Sequence, residues 1–314
     1  VSLLVNDFLQ EVRQAASVAS TSGSSPEGLT DSEILRVADR EVQTSLVPLL
    51  VGVREEFYGL TQSVAYNASS TKRIRIPGRT IAGRVRDIRA VIQGGGEQRL
   101  VRYEVTDKPW ISPLAGQYGT LTGYYLEGEW IVFLPPPNTS GTLKVSYFGA
   151  PGRMTNTSTD YRAITSVDTT TGAIGFASWT FSGNIDVVRG SSGFSALLQQ
   201  PSYSGATTTS LTLSTDDASY CEGGDYVCVA DTTPVVPLPR ELHGVLLGRT
   251  VAALMRQMGK ASMAQMEEDN ANRLCDLAMD LLTPRVESAV RPGRGRLNWR
   301  TAPGGWGASN RWGW

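Results

Sequence analysis

The residues in this sequence that could do chemistry are few, and their spacing argues against most reactions. A single histidine, His243, serves the whole chain. It stands beside Glu241 in what reads as the first turn of a helix, with no motif-linked Ser or Cys nucleophile, so helix-end hydrogen bonding is expected rather than general-base work. Cys221 and Cys228 flank an acidic segment from Glu222 to Asp225. They could meet across a hairpin, but two free thiols fit better. Without a CxxC pair and with one histidine, a Cys/His metal site is not expected. Asp216, Asp217, Glu222 and Asp225 could gather around a hard cation, yet their spacing matches no calcium loop, and a solvated loop is the expectation. Gly259-Lys260 is followed by Ala261 and lacks the upstream glycine of a phosphate-binding loop, while Gly94-Gly95-Gly96 reads as a hairpin tip. GxSxG, HExxH and EF-hand patterns are missing from the sequence. The expectation is a chain with no catalytic residues, no metal and no cofactor.

Two basic features carry more. Lys72, Arg73, Arg75, Arg79, Arg84, Arg86 and Arg89 crowd one β-rich stretch. Alternation puts Arg73 and Arg75 on the face opposite Ile74 and Ile76. Such a stretch is either a solvated sheet face or a surface turned to nucleic-acid phosphate. Arg73, Arg75, Arg84, Arg86 and Arg89 are the residues that would serve the second role, without base readout. From residue 285 onward Arg285, Arg291, Arg294, Arg296, Arg300 and Arg311 are accompanied by one acid, Glu287, and by Trp299, Trp306, Trp312 and Trp314. Trp and Arg dominate interface anchors, one through large rigid area and the other through planar hydrogen bonding. Arg294, Arg296, Trp299, Arg300, Trp306, Arg311, Trp312 and Trp314 are therefore candidate docking residues for a protein partner, the alternatives being Arg/Trp contact with nucleic acid or a merely disordered tail.

The elements that must position these groups follow from periodicity. Leu4, Phe8 and Val12 recur every four residues on a short helix, ended by the Ser/Gly/Pro run from Ser20 to Gly28. Thr30-x-x-Glu33 is a capping box that opens a second helix, whose stripe runs through Ile34, Ala38, Val42, Leu49, Val53 and Phe57, with Pro48 kinking or dividing it. From about residue 61 short apolar or alternating runs separated by Gly, Pro, Asn and Asp predict strands at 63–67, 73–76, 85–92, 100–105, 124–126, 130–134, 142–148, 185–189, 209–213 and 226–229. Glu127-Gly128-Glu129 reads as a hairpin turn. After Pro234–Pro239 two more helical segments follow, striped by Leu242, Val245, Leu246, Leu254 and Met258, then by Met266, Leu274, Leu277 and Leu281, with a break near Gly259.

Composition agrees with a globular chain of this plan. It has 314 residues, 40% apolar and 19% charged, with 29 Lys and Arg against 30 Asp and Glu, so no global charge points to nucleic acid or a membrane. No signal peptide is read at VSLLVNDFLQEVRQ, and no run approaches the roughly 20 apolar residues of a membrane span. The expected fold class is α+β. N- and C-terminal helices (1–60 and 240–284) pack as a small bundle around an inserted antiparallel β-barrel or sandwich (61–239), followed by an extended tail (285–314).

Four segments together carry a family likeness. They are VADREVQTSLVPLLVGVREEFYGLTQSV, TKRIRIPGRTIAGRVRDIRAV, GYYLEGEWIVFLPPPNTSGTLKVSYFGAPGRM and PRELHGVLLGRTVAALMRQMGKASMAQMEEDNANRL. Over most of residues 30 to 285 the chain resembles the head-to-tail adaptor, or connector, proteins of tailed bacteriophages. The resemblance implies a virion protein forming a ring of commonly about twelve copies below the portal. Its partners would be the portal protein, neighbouring copies and tail or nozzle proteins, with non-specific contact to double-stranded DNA in the channel and none to a membrane. Another neck or tail-tube protein fits much of the same pattern. A β-rich receptor- or carbohydrate-binding module would instead need Trp110, Tyr124, Tyr125 and Trp130 in an open groove.

Overall fold

The computed structural model describes residues 3–18, 29–67, 72–91, 96–104, 106, 121, 123–137, 139–180, 183–191 and 196–283. It is a mixed α+β fold in which helices from the two ends of the chain share one core and mainly antiparallel sheets fill the middle. Helix α1 (Val5–Val18) buries Phe8 and Val12 completely. Helix α2 (Asp31–Glu41) begins at the expected capping box. Thr30 Oγ1 accepts from the Glu33 N–H at 3.3 Å, and Glu33 Oε2 accepts from the Thr30 N–H at 3.0 Å.

Pro48 has the predicted effect by an unpredicted route. The helix widens to a π-helical turn over Val42–Leu46 before restarting as α3 (Val47–Val53), with the proline in its first turn, where no N–H is needed. The wider turn inserts one residue into the helical repeat. The stripe that begins at Ile34, Ala38 and Val42 therefore continues through Leu46 and Leu50, all fully buried, and not through Leu49, which is exposed.

The β region contains two hydrophobic cores where one was expected. The first lies between two four-stranded sheets. One sheet is ordered β1 (Gly59–Tyr66), β8 (Gly141–Gly149), β3 (Thr80–Val91) and β4 (Glu97–Arg99). The other is ordered β2 (Arg73–Arg75), β7 (Trp130–Leu134), β6 (Gly123–Glu127) and β5 (Val101–Arg102). Leu143, Val145 and Tyr147 alternate inward along β8 to meet Ile131 and Phe133 of β7. The β6–β7 hairpin turns at Gly128-Glu129, with Gly128 at φ 58°, a conformation a two-residue hairpin loop requires and glycine adopts freely.

The second core is wrapped by a curled, seven-stranded antiparallel sheet. Its order is β13 (Ala196–Gln199), β12 (Ile185–Val188), β16 (Tyr226–Val229), β10 (Tyr161–Asp168), β11 (Ala173–Phe176), β15 (Ser210–Leu213) and β14 (Tyr203–Ser204). A short helix, α4 (Thr215–Ala218), closes one side of it. Strands β9 (Arg153–Met154) and β17 (Thr232–Thr233) pair in parallel and lead the chain back toward the helices.

The last two helices form a hairpin. Helix α5 (His243–Gln257) stops at Gly259, φ +77°, where the Lys260 N–H reaches the Met255 carbonyl at 2.9 Å and the Gly259 N–H reaches that of Arg256 at 3.1 Å. Gly259-Lys260 is thus the left-handed C-terminal cap of a helix. Helix α6 (Ala261–Leu282) then packs along α5 through small side chains. Ala264, Ala271, Cys275 and Ala278 face inward, and a methyl group added at Gly248 would lie 3.0 Å from the Ala271 Cβ. Among the described residues no helix is long and apolar enough to cross a membrane.

Candidate interaction surfaces

The cationic stretch divides between different surroundings. Arg73 and Arg75 point outward from β2 while Ile74 and Ile76 are buried, as alternation predicts. The Arg73 guanidinium lies 4.2 Å from the Trp130 ring centre, and Arg75 pairs with Glu129 at 2.8 Å, both partners well exposed. Arg84, Arg86 and Arg89 belong to β3, in the other sheet of the same sandwich. Arg89 bridges Asp87 at 2.9 Å and Glu97 at 3.1 Å, and Glu97 also takes Lys144 at 2.9 Å. Arg99 completes this lattice on Asp87 at 2.9 Å. Arg86 is the extra residue of a β-bulge, since Val85 pairs with Tyr147 and Asp87 with Ser146. Arg84 and Arg86 are exposed and join no ion pair among the described residues.

Arg79 is different in kind. It is largely buried at the seam between the two β cores, where it pairs with buried Asp186, contacts Asp231 at 3.1 Å and donates to the Ala150 carbonyl at 2.7 Å. Asp186 also accepts the Gln200 and Asp231 backbone N–H groups at 3.0 and 2.9 Å. Burial pushes its carboxyl upward against the opposing pull of Arg79 and these donors. Gln199 extends the network, donating to Ala150 at 3.0 Å and accepting from the Tyr147 hydroxyl at 3.1 Å.

Beside this seam an open cleft of about 1120 Å³ lies between α2, the 150–157 segment and Asp231. Arg36, Arg40 and Arg153 line it, and Asp39 forms part of its wall, accepting the Met154 N–H at 2.9 Å. Burial raises the Asp39 carboxyl to about 6, opposed by that hydrogen bond and by Arg153. Gln43 donates to the Pro151 carbonyl at 3.1 Å and Asn156 to Asp31 at 2.8 Å, so the cleft wall is also the joint between helices and sheets.

The other titratable groups are tied into the fold. His243 Nε2 lies 2.9 Å from the Leu238 carbonyl, and burial lowers its pKa. Cys221, Cys228 and Cys275 are free and buried, burial raising the Cys221 thiol to about 12. Asp225 accepts the Gly190 and Glu222 N–H groups, both at 2.9 Å, and Ser214 caps α4 through the Asp217 N–H. Tyr124 and Tyr125 are buried, so they cannot form the floor of an open groove.

The feature that sequence reasoning misplaced is on α6. Met266, Leu274, Leu277 and Leu281, expected as its packing stripe, are its exposed large apolar residues at 72%, 39%, 62% and 71%. The close approach to α5 selects the small side chains for the inside and turns the large ones out. The docking residues Arg294, Arg296, Trp299, Arg300, Trp306, Arg311, Trp312 and Trp314, as well as Trp110 and the Gly94-Gly95 tip, lie outside the described residues. No protein-family model and no curated protein matches the sequence.

Proposed function

We propose that this chain is a structural virion protein, a head-to-tail adaptor that forms a ring below the portal of a tailed bacteriophage, extends the DNA channel and docks tail proteins. The observation that carries this reading is the outward apolar row on α6. Among the described residues the helical core does not include those side chains, so they present a second apolar face on the α5–α6 hairpin. Large apolar side chains contiguous on a surface mark a protein contact. In a closed ring the contact is heterologous, one surface of each copy meeting a different surface of the next.

Other features fit the same role. Helices from both ends of the chain make one body, which on this reading is the small bundle at the ring, and the β cores project from it. Arg84 and Arg86, with Lys72 and Arg73, are the exposed cations best suited to face channel DNA, because Arg75, Arg79 and Arg89 are paired with acids. The Arg- and Trp-rich residues 285–314 would dock on the portal or on the adjacent copy, in the virion at the head-tail junction. Titratable side chains such as Asp39, Asp186 and His243 are engaged in joints between elements, which favours a structural role over catalysis.

Replacing Leu277 and Leu281 by aspartate tests this reading. Wild-type chain mixed with portal rings should assemble into rings visible by electron microscopy. The double variant, folded by circular dichroism, should not. Undiminished assembly by the variant would remove the observation on which the reading stands.

A further inference from the structure

The open cleft between α2 and the 150–157 segment carries an unbalanced charge. Arg36 and Arg40 stand one helical turn apart on α2, and Arg153 joins them from β9. All three are exposed and join no ion pair among the described residues. The two carboxylates of the same wall are committed elsewhere, Asp39 to the Met154 N–H at 2.9 Å and Asp231 to Arg79 at 3.1 Å. Leu35, Ala150 and Pro151 add apolar lining. Such a cleft asks for an occupant that is anionic on one side and apolar on the other. The outward face of α6 has that composition. Asp276 and Asp280 are exposed and join no ion pair among the described residues, and Leu277 and Leu281 lie beside them. Across the helix five acids stand against one arginine.

We propose that α6 of one copy of this chain docks in the arginine-lined cleft of a second copy, Asp276 and Asp280 against Arg36 and Arg40, with Leu277 and Leu281 on the apolar lining. Spacing supports it. Residues four apart on a helix are about 6 Å apart along its axis, so two helices lying side by side bring both charge pairs into register together. Size supports it as well. About two turns of an α-helix, roughly 11 Å across and 11 Å long, displace a volume close to that of the cleft, about 1120 Å³. The occupant comes from another copy because α6 is held on α5 of its own chain through Ala264, Ala271, Cys275 and Ala278, which leaves the acidic face outward. Nucleic-acid phosphate fits the cleft less well, since Asp39 and Asp231 stand in its wall and repel it. The inference rests on the reading of α6 as a contact between copies and adds the surface that receives it. Two different surfaces then meet, which is the heterologous contact a ring requires.

Sedimentation velocity of the full chain over a range of concentrations tests it. Arg36→Glu with Arg40→Glu reverses the cleft, and Asp276→Arg with Asp280→Arg reverses the helix. All four positions are exposed, and circular dichroism checks that both variants keep the fold. Each variant alone sets like charges against each other and should self-associate at least about tenfold more weakly than wild type. An equimolar mixture of the two should recover association to within about threefold of wild type. In that mixture the reversed cleft of one variant meets the reversed helix of the other, while the two unreversed surfaces meet as in wild type. Nuclease treatment should change nothing. Variants that each assemble as wild type does would overturn the proposal and leave the adaptor reading standing, since the copies would then meet elsewhere. A mixture as weak as its folded components would overturn it too, as would a wild-type chain that stays monomeric at every concentration. Association that nuclease abolishes would do the same, because the occupant would then be nucleic acid. Recovery in the mixture without binding to portal rings would contradict the adaptor reading alone.

Discussion

Arg79 and Asp186 are separated by 107 residues, and at the residue scale a single change to this pair carries a large penalty. Removing one partner of a buried ion pair leaves an uncompensated charge. Arg79→Ala should therefore cost about 3–5 kcal/mol in urea unfolding, and a loss under about 1 kcal/mol would show that the seam does not depend on it. With the guanidinium gone, the Asp186 carboxyl should rise further. The deficit of the variant should then shrink as pH falls and the carboxyl takes up a proton. Asp39 gives a second test. Its folded value of about 6 lies above its ordinary value of 3.8, so the folded state binds the proton more tightly. Its contribution is present in full below about pH 4 and is lost as pH rises through 6. Asp39→Asn keeps an acceptor for the Met154 N–H. It should match wild type near pH 4 and exceed it by about 1 kcal/mol at pH 7, after discounting for partial exposure. Equal wild-type and variant unfolding midpoints at both pH values would contradict this. Neither role was legible in the sequence, where Arg79 was one cation in a crowded run and Asp39 one acid on a helix, because both partners come from distant strands.

Single elements were legible where the signal is local. Thr30 and Glu33 announce a helix start three residues apart, and Thr30→Ala should destabilise the fold by about 1 kcal/mol, measurable as a shift of the urea midpoint at constant slope. No shift would mean that the start of α2 is held by packing alone. Gly128 and Pro48 also acted where their backbone constraints require. Legibility failed where an element's geometry depends on a neighbour. The π-helical turn moved the apolar register by one residue, exchanging Leu49 for Leu50, and no pattern in the sequence counts such an insertion. Strands β10, β11 and β13 lie in Ser-, Thr- and Gly-rich sequence that offers only weak alternation, and they form because β12, β15 and β16 supply their partners. On α6 the sequence showed an apolar stripe correctly but not the direction it faces. The small residues that won the inside do so only because α5 brings Gly248 against Ala271.

For the whole molecule, the order of helices, strands and helices was readable from periodicity, whereas the division of the strands into two cores was not. Both halves of the β region have the same texture in sequence. Only the pairing of β1 with β8 and of β10 with β16 separates them. At this scale the proposed function makes the apolar row on α6 a contact with copies of the chain and with a portal. The most direct measurement is cryo-electron microscopy of the full-length chain alone and mixed with portal rings. The account predicts closed rings of a single cyclic symmetry, with α6 at or beside the contact between neighbouring copies. Monomers that remain unassembled with the portal present, or rings in which α6 faces only solvent, would contradict it.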